Sequence, residues 1–123
     1  MFNKLKILLN ILYDNTTALN YLSSAVKGIS GASTTYGYYY RITYYMDYFK
    51  TAKAYIQQAE NRCGNITRFA TLKNYLHQAA YYIPTTVSNS SASISAFLNC
   101  LQTNVYYMEL VSNEITRLKN ILK

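Results

Sequence analysis

The chain has 123 residues, 50% apolar and only 14% charged, a balance that fits one domain with a core of its own and excludes an intrinsically disordered segment. Lysine and arginine outnumber aspartate and glutamate 12 to 5, a formal charge of +7, which favours polyanions or anionic surfaces as partners, or serves solubility alone. Tyrosine contributes 15 residues and tryptophan none, supplying stiff contact area with a polar tip of the kind protein interfaces use.

Apolar residues recur at alternating spacings of three and four along the chain, the pattern of amphipathic helices, and strand-like alternation is absent. A first helix is predicted over about 2–27, with Leu5, Leu12, Leu19 and Val26 in one inward row and Leu8, Asn15 and Leu22 in the other. The lysines and apolar run of Met1 to Tyr13 superficially resemble a signal peptide, but Asn10 interrupts the run and no small-residue cleavage site follows, so classical secretion is not expected. Gly28 fits a left-handed helix terminus, with Ile29 folding back as its apolar partner. After a Gly/Ser/Thr loop, a second helix is expected over about 37–63, with Ile42, Phe49, Ile56 and Cys63 against Tyr38, Tyr45, Ala52 and Ala59.

That helix stops at Gly64, and Asn65 is placed to cap a third over about 65–83, where Phe69, Leu72, Leu76, Ala79 and Ile83 keep the spacing until Pro84 ends it. The fourth, about 91–122, sets Ile94, Leu101, Met108, Ile115 and Leu122 against Phe97, Asn104, Val111 and Leu118. No segment approaches the roughly 18 uninterrupted apolar residues of a membrane span. Four helices with short connections define a single all-α domain, an up-down-up-down four-helix bundle. In antiparallel first and fourth helices, Asn15 and Asn104 would meet at one level and fix register as a buried polar pair. Cys63 and Cys100 fall near opposite ends, too far apart for a disulfide, and Asp14, Asp47, Glu60, Glu109 and Glu114 lie outside the inward rows.

The side-chain inventory argues against an enzyme, and no cofactor, metal or small-molecule substrate is expected. His77 is the single histidine and lies outside the inward row; no Glu-x-x-His pair, zinc-type cysteine spacing or Gly-rich phosphate loop is present. Tyr40, Tyr44 and Tyr48 stand four apart, as do paired tyrosine nucleophiles in some DNA-nicking enzymes, but the histidine-bound metal those enzymes need has no ligands here, so the spacing reads as a ring stripe. Asn15, Asn65 and Asn89 open Asn-x-Ser/Thr sequons; the last two fall in turns, where glycan could attach.

The cluster from Tyr36 to Tyr48 is too crowded for one helix face to hide. With Tyr38 and Tyr45 inward, an assembly surface is expected from Tyr36, Tyr39, Tyr40, Tyr44 and Tyr48, joined by Tyr81 and Tyr82. The bundle would gather Lys4, Lys6, Arg68, Arg117, Lys119 and Lys123 at the other end. Cations favour helix C-termini, which accounts for Lys119 and Lys123, but Lys4, Lys6 and Arg68 at helix starts run against that rule and point to DNA or an anionic membrane as ligand. Amides, hydroxyls and phenols keep their hydrogen bonding below about pH 4, where carboxylates lose charge, so this surface suits acid; AT-rich codons would produce the same bias.

The carboxylate-poor, Tyr/Asn/Ser/Thr-rich stretches TTYGYYYRITYYMDYF and AAYYIPTTVSNSSAS resemble structural proteins of viruses that infect thermoacidophilic archaea. The resemblance implies a coat or virion subunit that associates with itself and contacts packaged nucleic acid or an envelope, in a virion or extracellular assembly. The alternatives are a small cytoplasmic nucleic-acid-binding or regulatory bundle, and a membrane-active helical protein.

Overall fold

A computed structural model describes residues 2–123, whose regular structure is helical throughout. Five α-helices follow one another: α1 (Phe2–Ile29), α2 (Thr35–Tyr44), α3 (Met46–Cys63), α4 (Ala70–Tyr81) and α5 (Ser91–Leu122). The all-α class agrees with the periodicity, with one helix more than expected.

The additional helix arises because the predicted span 37–63 is divided at Tyr45, whose backbone sits at φ −96°, ψ 9° in the bridge region. The ladder bends without breaking. The Tyr45 amide still donates to the Arg41 carbonyl at 3.1 Å, and the Tyr48 amide closes a tighter bond to the Tyr45 carbonyl at 2.9 Å. The bend seats the Tyr45 ring against Gly28 of α1, so closely that a Cβ on Gly28 would collide with it.

Gly28 is therefore not the left-handed terminus expected; it is helical and serves a close approach. α1 runs on to Ile29, and the positive φ falls at Gly31 (79°). The end of α1 is satisfied instead by Ser30, whose amide and Oγ both donate to the Val26 carbonyl, while Arg41 Nη1 donates to the Ser30 carbonyl at 2.7 Å. Gly28→Ala is expected to lower stability by about 1 kcal/mol or more, since displacing a packed ring outweighs the roughly 1 kcal/mol that alanine gains over glycine within a helix. A urea midpoint that rises would mean the ring is not seated there.

Asn65 caps nothing. Gly64, at φ 52°, turns the chain, a 3-10 turn over Thr67–Phe69 follows, and α4 begins only at Ala70. Phe69, fully buried, anchors that turn, and Lys73 Nζ donates to the Gly64 carbonyl at 2.8 Å. At α2 and α5 the caps are hydroxyls: Thr34 Oγ1 accepts from the Gly37 amide and Ser90 Oγ from the Ser93 amide.

Cross-helix contacts show antiparallel neighbours throughout. Asp14 meets Gln58 and Arg62, Tyr21 meets Tyr48, His77 meets Glu60, and Asn104 meets Ala79. The inward rows predicted for α3, α4 and α5 are buried apart from Leu122, which is half-buried. At the far end, Tyr38 of α2 and Tyr45 at the bend are likewise half-buried.

In α1 only Leu8, Asn15 and Leu22 are buried as expected; the companion row is Ile11, Ala18 and Ala25. Leu5, Leu12 and Leu19 are half-buried and Val26 is exposed. The reason is close approach to α3. Ala18 and Ala25 share a face of α1 with Asp14 and Tyr21, which touch Tyr48, Tyr55, Gln58 and Arg62 of α3, and Ala52 and Ala59 share the face of α3 that carries those partners, so small residues there let the axes draw together. The helix has rolled toward α3, leaving its leucine row beside α5, against which it packs only slightly.

Four buried polar residues depart from expectation. Asn15 and Asn104 are both buried but do not pair: Asn104 Nδ2 donates to the Ala79 carbonyl at 2.7 Å, while Asn15 Oδ1 has no partner. Across the α1–α5 interface Asn104 borders the same groove as Leu19 to Lys27 of α1, and Asn15 does not. Asp14 and Glu114 are buried rather than solvated. Asp14, without exposed surface, accepts from Arg62 Nε at 2.6 Å and Gln58 Nε2 at 3.0 Å. Glu114 takes a bidentate pair from Arg117 at 2.8 and 2.7 Å. The cysteines are free, as predicted; burial pushes the Cys63 thiol up to about 11, and burial raises that of Cys100 as well.

Candidate functional site

Tyrosines four apart on a helix share one face, and Tyr36, Tyr40, Tyr44 and Tyr48 form such a stripe along α2 and the first turn of α3. Tyr36, Tyr40 and Tyr44 are 63%, 60% and 72% exposed. Tyr48, at 39%, is the foot of the stripe: it lies edge-to-face on Tyr45 at 5.3 Å and on Tyr21 of α1 at 5.4 Å, and Tyr21 in turn stacks on Tyr55 at 6.3 Å. Each such pair contributes about 0.5–1.5 kcal/mol beyond burial and fixes ring orientation. Tyr39, expected in this surface, is half-buried against the core.

Tyr81 and Tyr82 do not join that patch. Tyr81 is 68% exposed and sits beside Lys53, Gln57 and Ala80, on the α4 flank of α3, whereas Tyr48 touches α1 on the other flank. Tyr82 is half-buried, edge-on to Tyr81 at 5.0 Å and stacked on Tyr107 of α5 at 5.8 Å. Tyr107 meets the exposed Tyr106 at 5.1 Å. These four rings make a second patch, on the α4–α5 side. The sequence offered a signal for it in the doublets Tyr81–Tyr82 and Tyr106–Tyr107, but pairing them needs the register of α4 against α5.

The basic residues gather by topology. Lys4 and Lys6 lie in the first turns of α1, Arg68 in the turn between α3 and α4, and Lys119 and Lys123 at the end of α5, all at one end of the antiparallel array. Arg117 differs from the others in being committed to Glu114, whose hydrogen bonds and charge raise its pKa further. Arg62, likewise, is held by Asp14. Lys4, Lys6, Arg68, Lys119 and Lys123 make no ion pair among the described residues, Lys4 and Lys119 being half-buried and the rest exposed. His77 is exposed, as expected, with Nδ1 3.0 Å from Glu60 Oε2.

The third feature went unread in the sequence. Because α1 rolls toward α3, an open groove of about 610 Å³ separates α1 from α5. Leu19, Leu22, Val26, Val105 and Met108 give it apolar walls; Asn104 lies at its base, with Lys27 and Glu109 on opposite banks. Leucines at 5, 8, 12, 19 and 22 make the apolar stripe of α1 wide enough to cover both a core seam and a groove, and spacing does not separate the two.

No helix among the described residues is long and apolar enough to cross a membrane. Comparison with protein-family models, with curated proteins and with solved structures gives no match for the chain, so its functional reading rests on the two tyrosine patches, the basic end and the groove.

Proposed function

We propose that the chain is a non-enzymatic structural subunit that assembles with its own copies through tyrosine, with its basic end turned toward nucleic acid or an anionic membrane. In this reading α2 and α3 act as one interrupted rod, and the subunit is an up-down-up-down bundle of four rods in a single domain. The likeness of its tyrosine- and asparagine-rich segments to virion proteins of thermoacidophile viruses supports a coat role, and with it a virion or extracellular location.

The observation that carries the reading is the opposition of the two patches. One lies on the α1–α3 side and the other on the α4–α5 side, and both present large phenol rings held in place by neighbouring rings. Unlike patches on opposite sides favour a heterologous contact, which repeats indefinitely unless a rotation closes it. Negative-stain microscopy of the purified chain is expected to show filaments or shells. Tyr36→Ser, Tyr40→Ser and Tyr44→Ser together are expected to abolish them while changing unfolding free energy by no more than about 1.5 kcal/mol, as three exposed positions should. Assembly that persists while stability collapses would make these rings core.

A second reading, a small cytoplasmic nucleic-acid-binding or regulatory bundle, is favoured by the unpaired cations. Binding through them is expected to be indifferent to nucleotide sequence and to weaken steeply with salt. Replacing Lys6, Arg68 and Lys123 with Gln should reduce the slope of log K against log salt by about three units, one for each phosphate no longer neutralised. Filter binding and vesicle flotation at low salt separate the ligands; retention of neither leaves assembly alone.

A further inference from the structure

We propose that the groove between α1 and α5 binds a neutral single-chain amphiphile whose head donates a hydrogen bond, a fatty alcohol or a monoacylglycerol. The claim is independent of self-assembly. The volume, about 610 Å³, lies within the range of roughly 300–1,000 Å³ typical of small-molecule sites. Its walls are aliphatic, and Met108 supplies an adaptable thioether that fits irregular chains.

The head-group preference comes from Asn104. This residue is 1% exposed, and its Nδ2 donates to the Ala79 carbonyl at 2.7 Å. A carbonyl only accepts, so the bond fixes which end of the carboxamide is nitrogen and turns the oxygen away from α4. No donor reaches that oxygen among the described residues, and Asn104 is one of the residues that line the groove. It is an oriented acceptor at the base of an apolar groove, and a hydroxyl or amide N–H completes it. A carboxylate or phosphate would bring lone pairs against a lone pair.

The rim adds no compensation for charge. Lys27 on α1 and Glu109 on α5 oppose each other in sign, so neither an anionic nor a cationic head gains on balance. A docking helix is a poorer occupant than a lipid chain, because the lining of α1 runs only from Leu19 to Lys27, about 12 Å or two turns, and is edged by Ser23, Ser112 and Asn113.

The test is titration of the full chain, labelled at its methionine methyls, with decanol, monodecanoylglycerol, decanoate and decyltrimethylammonium. The expected result is a saturable shift of the Met108 resonance with the first two and binding about tenfold weaker for the charged pair, the effect of one unmade buried hydrogen bond. Val105→Glu, at an exposed position on the bank, should abolish the shift with the melting temperature unchanged. Asn104→Leu should bind all four ligands alike. Equal affinity of the wild-type chain for all four, or an unmoved Met108 resonance, overturns the proposal. So does a Met108 resonance that follows protein concentration instead of alcohol, which would make the groove a contact between copies.

Discussion

Arg62→Leu is expected to lower the free energy of unfolding by about 3 kcal/mol, the largest single effect of any surface-reaching residue in this chain. The cause lies in its partner. Asp14 has no exposed side-chain surface, and Arg62 supplies its 2.6 Å ion pair; without the guanidinium, a buried carboxylate is left with Gln58 alone. The reverse substitution is milder. Arg62 is 37% exposed, so in Asp14→Leu the guanidinium turns to water, and a loss of about 1 kcal/mol is expected. The double variant Asp14→Leu/Arg62→Leu should recover most of the deficit, because apolar replacements leave no buried charge uncompensated. Urea melts of the three proteins check the order; equal losses in the two single variants would show that Asp14 reaches solvent.

Phe49→Ala is expected to cost about 3–5 kcal/mol, from the forfeited transfer energy and the cavity left behind. Phe49 is fully buried at the centre of the second inward row and lies edge-to-face on Phe97 of α5 at 5.2 Å, so its ring ties α3 to the helix diagonally across. Leu101→Ala, at a position 6% exposed, should cost about 2–4 kcal/mol on the same grounds. Leu12→Ala is the control. Its heptad position resembles that of Leu101, yet Leu12 is only half-buried at the edge of the core, and a loss of about 1 kcal/mol is expected. Melts in which Leu12→Ala is as damaging as Phe49→Ala would restore the leucine row of α1 to the core.

The contrast between Leu12 and Phe49 marks where reading along the chain stops. The helical class, the breaks at Gly64 and before Pro84, the span of α5 and the inward rows of α3, α4 and α5 were legible, because periodicity and backbone chemistry act within a few residues; the division at Tyr45 was not. In those helices the apolar stripe is narrow enough to admit only one rotation. In α1 the stripe is broad, and several rotations bury similar area. The choice fell to shape: alanines on the facing sides of both helices, Ala18 and Ala25 on α1 and Ala52 and Ala59 on α3, draw α1 onto α3 and open the groove toward α5. Register is likewise a matter between helices. Asn15 and Asn104 look like partners by position, but the level at which α5 passes α1 sends Asn104 to the Ala79 carbonyl. Asp14 looked like a surface charge until the roll of α1 carried it under Arg62. The tyrosines show the same division: their number guaranteed exposed rings, but helix order placed Tyr48 on the α1 side and Tyr81 on the α4 side, giving two patches where one was expected. Local chemistry sets which segments are helical and how they end, whereas rotation, register and the faces left uncovered depend on the shape of whatever each helix packs against.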